Sequence, residues 1–322
     1  MDENKIIKYL SENINSSSKT GDLFNHVSLG IGDDAAVIAT QSEQYAVTVD
    51  TLVEGVHFPD NMDPESLGYR AAAVVLSDLA AMASTPKFAT LAITMPSLDE
   101  SWLGKFCEGL RTPLSAHNCL LIGGDTTKGP LVVTLQMIGT IVGVPLRRNG
   151  AKYGDIVAVS GYLGDARAAL DFLHERDTHP EKDFILDRYF RPTPRIQFAQ
   201  EVRKYIHSAI DISDGLIADL GHVARASDVL IEVLLENLPL SDSMKMLLPE
   251  DKALEYASVG GDDYELAFTL SPDNLALVEE VGEKMDISVS VIGLVKKGNG
   301  VVCLGESGYP IDYGSKDGFK HF

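Results

Sequence analysis

Cysteine is scarce in this chain of 322 residues: Cys107, Cys119 and Cys303 are widely spaced and form no CxxC pair. That argues against a disulfide framework or a thiolate metal site, and fits a reducing, cytoplasmic setting. No apolar run approaches the ~18 residues of a membrane span. The opening MDENKIIKYL lacks the basic start and apolar core of a signal peptide, so no membrane partner is expected. Positive charge is also short, with 27 Lys and Arg against 47 Asp and Glu and a net charge of −20. A nucleic-acid partner is therefore not expected, because phosphate backbones need Lys and Arg. The common catalytic signatures are missing too: no G-x-x-x-x-G-K-[ST], no H-R-D or D-F-G, no G-x-S-x-G and no H-E-x-x-H. GIGDDA imitates part of a dinucleotide fingerprint, but the AAVI around its end reads as strand, not as the helix a Rossmann turn must open. Small phosphates remain open, since Mg²⁺ commonly joins one or two carboxylates to substrate phosphates.

What is present is an ordinary globular composition, 45% hydrophobic and 23% charged. The length exceeds the ~250–300 residues at which one core stops growing, which favours two domains. Ile6, Ile7, Leu10 and Ile14 predict a helix over 4–14. Strand-like runs follow at 45–53, 88–95, 119–125 and 131–143, with helix patterns at 64–83 and 99–110. GVPLRRNGAKYGD (143–155), dense in Gly, Pro and basic residues, marks the expected boundary between domains 1–145 and 146–322. The second half repeats the mixture, with strands at 155–160, 208–212, 229–235, 264–270, 287–295 and 300–304. Helices are expected there at 164–175, 195–206 and 215–226. The fold class is mixed α/β in two parts.

The placement of acids is the informative feature. Asp33 and Asp34 sit in the Gly-flanked turn of GIGDDAAV, Asp50 lies inside VTVDTLV, and Asp125 ends LLIGGD. Asp211 and Asp214 flank a strand-to-helix corner in DISDG, with Ser213 between them, and Asp262 and Asp263 precede a strand in GGDDYELAF. An Asp between strand and helix is commonly an N-cap, and GGD is commonly a turn. Neither explanation covers Asp50 or Asp78, which lie within elements. In VVLSDLAAM, Asp78 shares the apolar stripe of Val74, Val75, Leu79 and Met82. An unpaired buried carboxylate costs several kcal/mol, so a shared cation cluster accounts for these acids better than separate caps.

Seven blocks, GIGDDAAV, VDTLVEGVHF, LSDLAAM, LIGGDTTKGP, RNGAKYGD, DISDGLIADLGH and GGDDYELAF, resemble in order and spacing those of the thiamine-monophosphate kinase family, within the aminoimidazole ribonucleotide synthetase superfamily. The resemblance runs from about residue 30 to the final GFKHF. It implies a two-domain synthetase-like fold, an N-terminal sheet domain that forms a homodimer and a C-terminal α/β domain closing over the nucleotide. It further implies transfer of the ATP γ-phosphoryl group to thiamine monophosphate with several Mg²⁺ ions. The implied metal ligands are Asp34, Thr48, Asp50, Asp78, Asp125, Asp211 and Asp214. Val49 stands where Thr is common, so a ligand there would be its backbone carbonyl. Gly124, Asp125, Arg148 and Ser213 would contact ATP, and His57, Asp262 and the aromatic Tyr313 the substrate. Asp262 replaces the usual Glu, shortening that contact by about one methylene.

On their own, Arg148 could equally be a solvated loop residue, and His57 a structural histidine. The chemistry is consistent with the family: a phosphate acceptor, with a second pKa of about 6, is already a nucleophile and needs no general base. Two alternatives belong to other classes. A selenophosphate synthetase-like enzyme would share ATP and Mg²⁺, but such enzymes carry a Cys or selenocysteine in a Gly-rich N-terminal stretch, and here none precedes Cys107. A non-catalytic nucleotide or cation sensor would not need the whole Asp set.

Overall fold

The structure, a computed structural model, describes residues 26–40, 42–175 and 179–311; the expected helix over 4–14 and Tyr313 lie outside them. Two sheets carry the described chain. The first has six strands in the order β1-β2-β3-β6-β4-β5: β1 Val27–Leu29, β2 Ala36–Ala39, β3 Gln44–Val53, β4 Thr85–Met95, β5 Leu120–Lys128 and β6 Val132–Ile141. Neighbours are antiparallel except β4 and β5, which run parallel. β6 shows why one face is covered and the other not. Val133, Leu135 and Met137 are buried, while Thr134, Gln136 and Ile138 on the alternate face are not. Strand β5 closes the sheet as an edge exposed along its whole length.

Two helices cover the inner face. Helix α1 (Pro64–Ala81) starts at Asp63, whose side chain accepts from the Ser66 N–H, with Pro64 at its first turn. Helix α2 (Glu100–Ala116) crosses it closely, because Gly68 and Gly109 have no Cβ. A Cβ on Gly109 would lie 1.8 Å from the Glu65 carbonyl oxygen. α1 is apolar nearly all round, and the reason is its position: it packs on β3, β4 and β6 on one side and on the second half of the chain on the other.

That second half holds a seven-stranded sheet in the order β13-β12-β9-β11-β7-β10-β8. Its strands are β7 Ile156–Ser160, β8 Ile206–Asp211, β9 Leu230–Leu234, β10 Leu266–Leu270, β11 Val289–Lys296, β12 Gly300–Leu304 and β13 Pro310–Ile311. Helices α3 (Asp165–Phe172), α4 (Pro180–Phe190), α5 (Ile196–Val202), α6 (Leu216–Ser227), α7 (Asp242–Leu247), α8 (Glu250–Val259) and α9 (Leu275–Lys284) surround it. β7 and β10 are buried throughout and read as continuous apolar runs. The core of the first sheet continues onto one face of the second through Ile156, Ala158, Ala209 and Phe268. The opposite face, with α3, α6 and α8, forms a second core around Val157, Val159, Ile210 and Ile231.

The alternation of elements matches the sequence reading, with omissions. Helices α4, α7, α8 and α9 were not expected. α4 buries only Ile185 and Tyr189 among its side chains, and α9 only Val278 with Gly282, so neither shows a broad apolar stripe. α2 continues to Ala116, past the expected end at 110, with Pro113 inside it.

Candidate active site

Where α1 passes between the sheets, the chain forms a partly open cavity of about 990 Å³. From Arg70 to Ser84 every residue of the α1 segment is buried except Asp78, which reaches the cavity. The carboxylates of Asp34, Asp78 and Asp211 each place an oxygen within 4.8 Å of the others. They come from three elements: the β1–β2 turn, α1 and the end of β8. Asp50, Thr48 and Val49 on β3 line the same space, with Ser213 and Asp214 from the loop before α6. The Thr48 hydroxyl donates to Asp78, and Ser77 Oγ donates to Asp211 Oδ2 at 2.7 Å.

The cluster is electrostatically crowded. Burial and the charges of Asp50 and Asp211 push Asp78 well above the usual carboxylate range. Asp211 is raised to about 8 by burial and by Asp34, with the Ser77 hydrogen bond and Arg148 working against the rise. Asp50 is raised to about 6, chiefly by burial. Arg148 supplies a nearby cation, its Nη2 and Nε donating to Asp34 Oδ1 at 2.6 and 3.2 Å. Its backbone N–H reaches Asp33 at 3.2 Å. Asp34 Oδ2 is buried without a hydrogen-bond partner among the described residues, which is costly for a carboxylate oxygen unless something else is bound there. The loop carrying Ser213 and Asp214 is held by Asp219, which the sequence reading missed. Its Oδ2 accepts the N–H groups of Ser213, Asp214 and Gly215 at 3.1, 3.2 and 3.1 Å.

The far end of the cavity has a different character. His57 lies in the turn after β3, and its Nδ1 accepts from the Val53 N–H at 3.0 Å, which assigns the proton to Nε2. Tyr189 donates its hydroxyl to the His57 carbonyl at 3.3 Å. Arg70, Tyr189 and Tyr264 complete this end around Asp262, together with Arg167, Leu170 and Leu173 from the α3 segment. The sequence reading missed Arg70, although it falls four residues before Val74 on the same stripe as Asp78 and the same periodicity could have found it. Of the acids in GGDDYEL only Asp262 lines the cavity. Asp263 accepts the Gly164 N–H at 2.8 Å, and Glu265 is held by Arg188, Arg195 and Ser160.

Gly124, expected at the nucleotide, and Asp125, expected both there and as a metal ligand, do not meet the cluster within one chain. Gly124 and Asp125 lie on the edge strand β5, three strands from β3, or ~14 Å at the usual spacing. Register places Asp125 beside Ala92, then Thr134, then Thr51, the row facing away from α1. Asp50 lies one row over, facing α1.

Fold and site together define a class: residues 32–144 match the family model described as AIR synthase related protein, N-terminal domain. E. coli HypE, a hydrogenase maturation protein, shares the fold, with TM-score 0.70 and 19% identity over 95% of this chain and 97% of its own. Closer relatives narrow this. The thiamine-monophosphate kinase of Escherichia coli K12 is 41% identical over 301 residues, 92% of each chain. That of Bacillus subtilis is 36% identical over 308 residues, 92% of this chain and 94% of its own. A solved structure of AaThiL complexed with AMPPCP and TMP superposes with TM-score 0.84 and 33% identity, covering 100% of this chain and 97% of that one. The chain belongs to the thiamine-monophosphate kinase family.

Proposed function

We propose that the protein transfers the γ-phosphoryl group of ATP to thiamine monophosphate, forming thiamine diphosphate, with Mg²⁺ held at the carboxylate cluster. The observation that carries this reading is the convergence of Asp34, Asp78 and Asp211 from both halves of the chain on one end of a single cavity. The names of the relatives and the ATP-analogue complex of a close structural neighbour support it. The donor set suits Mg²⁺: all the candidate ligands are hard carboxylate and hydroxyl or carbonyl oxygens. Asp34, Asp78 and Asp211 would hold ions, with Asp50, Asp214, Thr48 and the Val49 carbonyl beside them. Bound Mg²⁺ would neutralise charge between two phosphates and align them.

The chain's own residues bind and position. Arg148 offers a planar fork to ATP phosphates at the edge of the cluster, and Ser213 a hydroxyl held in place by the Asp219-braced loop. His57 and Asp262 face the acceptor from the far end. No general base is required, since a monophosphate is mostly dianionic at pH 7. Residues 1–145 and 146–322 act as two functional units, the first supplying the metal-bearing strand and helix, the second closing the cavity. The thiols Cys107, Cys119 and Cys303 are free, which suits the cytoplasm, and no helix among the described residues is long and apolar enough to cross a membrane.

A homodimer accounts for Gly124 and Asp125. Among the described residues β5 is an unpaired edge, carrying Leu120, Leu121 and Ile122, each 45–62% exposed. Such an edge is normally covered. A second copy on this edge would bring its Gly124 and Asp125 toward the neighbouring nucleotide.

The test is an acceptor comparison: ADP formation from ATP and Mg²⁺ with thiamine monophosphate or with free thiamine. Turnover should occur with the monophosphate and nearly vanish with thiamine, whose neutral hydroxyl would need a base and lacks the phosphate that meets the ions. Comparable rates with both would overturn the acceptor and the base-free mechanism together.

A further inference from the structure

Arg70 is 1% exposed, yet it borders the cavity. α1 presents Arg70, Val74 and Asp78 at four-residue intervals, so Arg70 and Asp78 sit ~12 Å apart on one rigid helix at about 1.5 Å rise per residue. The guanidinium joins two separate segments of the second half. Nη1 donates to the Tyr189 carbonyl at 2.7 Å, and Nη2 pairs with Asp262 Oδ1. Its carbon lies 4.3 Å from the ring centroid of Tyr189 and 5.6 Å from that of Tyr264. The Tyr264 hydroxyl donates to the same Asp262 Oδ1 at 3.1 Å. Oδ2 of Asp262 has no protein hydrogen bond among the described residues, and the side chain keeps 30% exposure.

The turn bearing Asp262 is strained. Asp262 and Tyr264 both have left-handed backbones, with φ of +72° and +50°. Such conformations in non-glycine residues persist only where the surroundings hold them. Main-chain bonds from Asp262 N–H to the Ser213 carbonyl (2.9 Å) and from Tyr264 N–H to the Ile212 carbonyl (2.8 Å) hold it from one side. Arg70 holds it from the other, across the junction of the two halves.

We propose that Arg70 is a positioning residue for the acceptor. It occupies Oδ1 of Asp262, so that Oδ2 alone is presented to the ring system of the bound acceptor. A carboxylate oxygen in that place suits the N–H donors of an aminopyrimidine. Lysine could not replace the arginine fully, because the planar fork serves Tyr189 and Asp262 together and stacks on an aromatic face. The inference rests on the thiamine-monophosphate reading.

Steady-state kinetics on Arg70→Met, Arg70→Lys, Asp262→Asn and the double variant Arg70→Met/Asp262→Asn test it. Arg70→Met should raise KM for thiamine monophosphate about tenfold, the scale of one lost hydrogen bond to a charged group, with kcat and KM for ATP within about twofold of wild type. The double variant should be no worse than the weaker single, because Arg70 acts through Asp262. Arg70→Lys should recover part of the loss. If Arg70→Met does not fold, Arg70→Lys replaces it in the cycle under the same requirement. KM rising equally for both substrates, additive losses in the double variant, or no change would each overturn the inference. A wild-type protein inactive on thiamine monophosphate would instead overturn the functional reading.

Discussion

At one end of the cavity Asp34, Asp50, Asp78 and Asp211 crowd together with Arg148 as the nearby cation; at the other, Arg70 meets one carboxylate, Asp262, between two aromatic rings. The first arrangement is under-compensated, and its carboxyls answer by holding protons far above their usual range. The second is compensated within the chain. The Asp262 carboxylate holds Arg70 charged despite the opposing effect of its burial. A site that must take up cations has to leave charge unsatisfied. A site that reads an acceptor by shape and hydrogen bonding needs its groups fixed beforehand.

The sharpest way to break this contrast is to remove one charge from each end. Asp78→Asn should lower turnover by at least ~100-fold, because a cation contact at the reacting phosphates is lost. Its stability in chelator should match or exceed wild type, since repulsion is relieved. Full activity of the Asn protein at limiting Mg²⁺ would refute the ligand role. Asp262→Ala should do the reverse to stability. It strands the buried Arg70 charge and should cost about 2–3 kcal/mol by urea unfolding, with or without Mg²⁺. An unchanged midpoint would mean that the pair is not structural.

A pH series sharpens the same difference. Asp50 and Asp211 titrate higher in the folded protein, about 6 and about 8, than in the unfolded chain, where carboxyls lie near 4. Between those values the folded state holds more protons, so its stability in chelator should fall as pH rises from ~4 to ~8. The slope should be about 1.4 kcal/mol per pH unit for one proton's difference. Mg²⁺ should restore more at pH 8 than at pH 5, as read from melting temperatures. Equal restoration at both would place the ions elsewhere. Mg²⁺ with a non-hydrolysable ATP analogue should raise the melting temperature by more than the sum of the two separate shifts, since each completes the other's site. Additive shifts would argue for separate sites. The smallest effect is expected at His57: His57→Ala should raise KM for thiamine monophosphate by a few-fold, about 1 kcal/mol, and leave KM for ATP alone. A change confined to ATP would move His57 to the nucleotide end.

The carboxylate end was legible in the sequence because its members violate local rules: Asp78 interrupts an apolar helical stripe and Asp50 a strand. The arginine end was not. Arg70 interrupts the same helical stripe as Asp78, four residues before Val74, but nothing nearby in sequence shows that residue 70 meets residues 189 and 262. Asp125 shows the converse: its motif was plain, but strand order decides that it stands on an edge away from the cluster.

Alternating apolar patterns, Gly-rich turns and misplaced acids therefore determined by themselves a mixed α/β chain with clustered carboxylates, because periodicity and the cost of burying charge act over a few residues. Which acids converge, which arginine is buried, and that α1 packs against both sheets were decided only by the packing of two sheets against one helix. Contacts across more than a hundred residues of chain depend on strand order and register, and these leave no mark on local sequence.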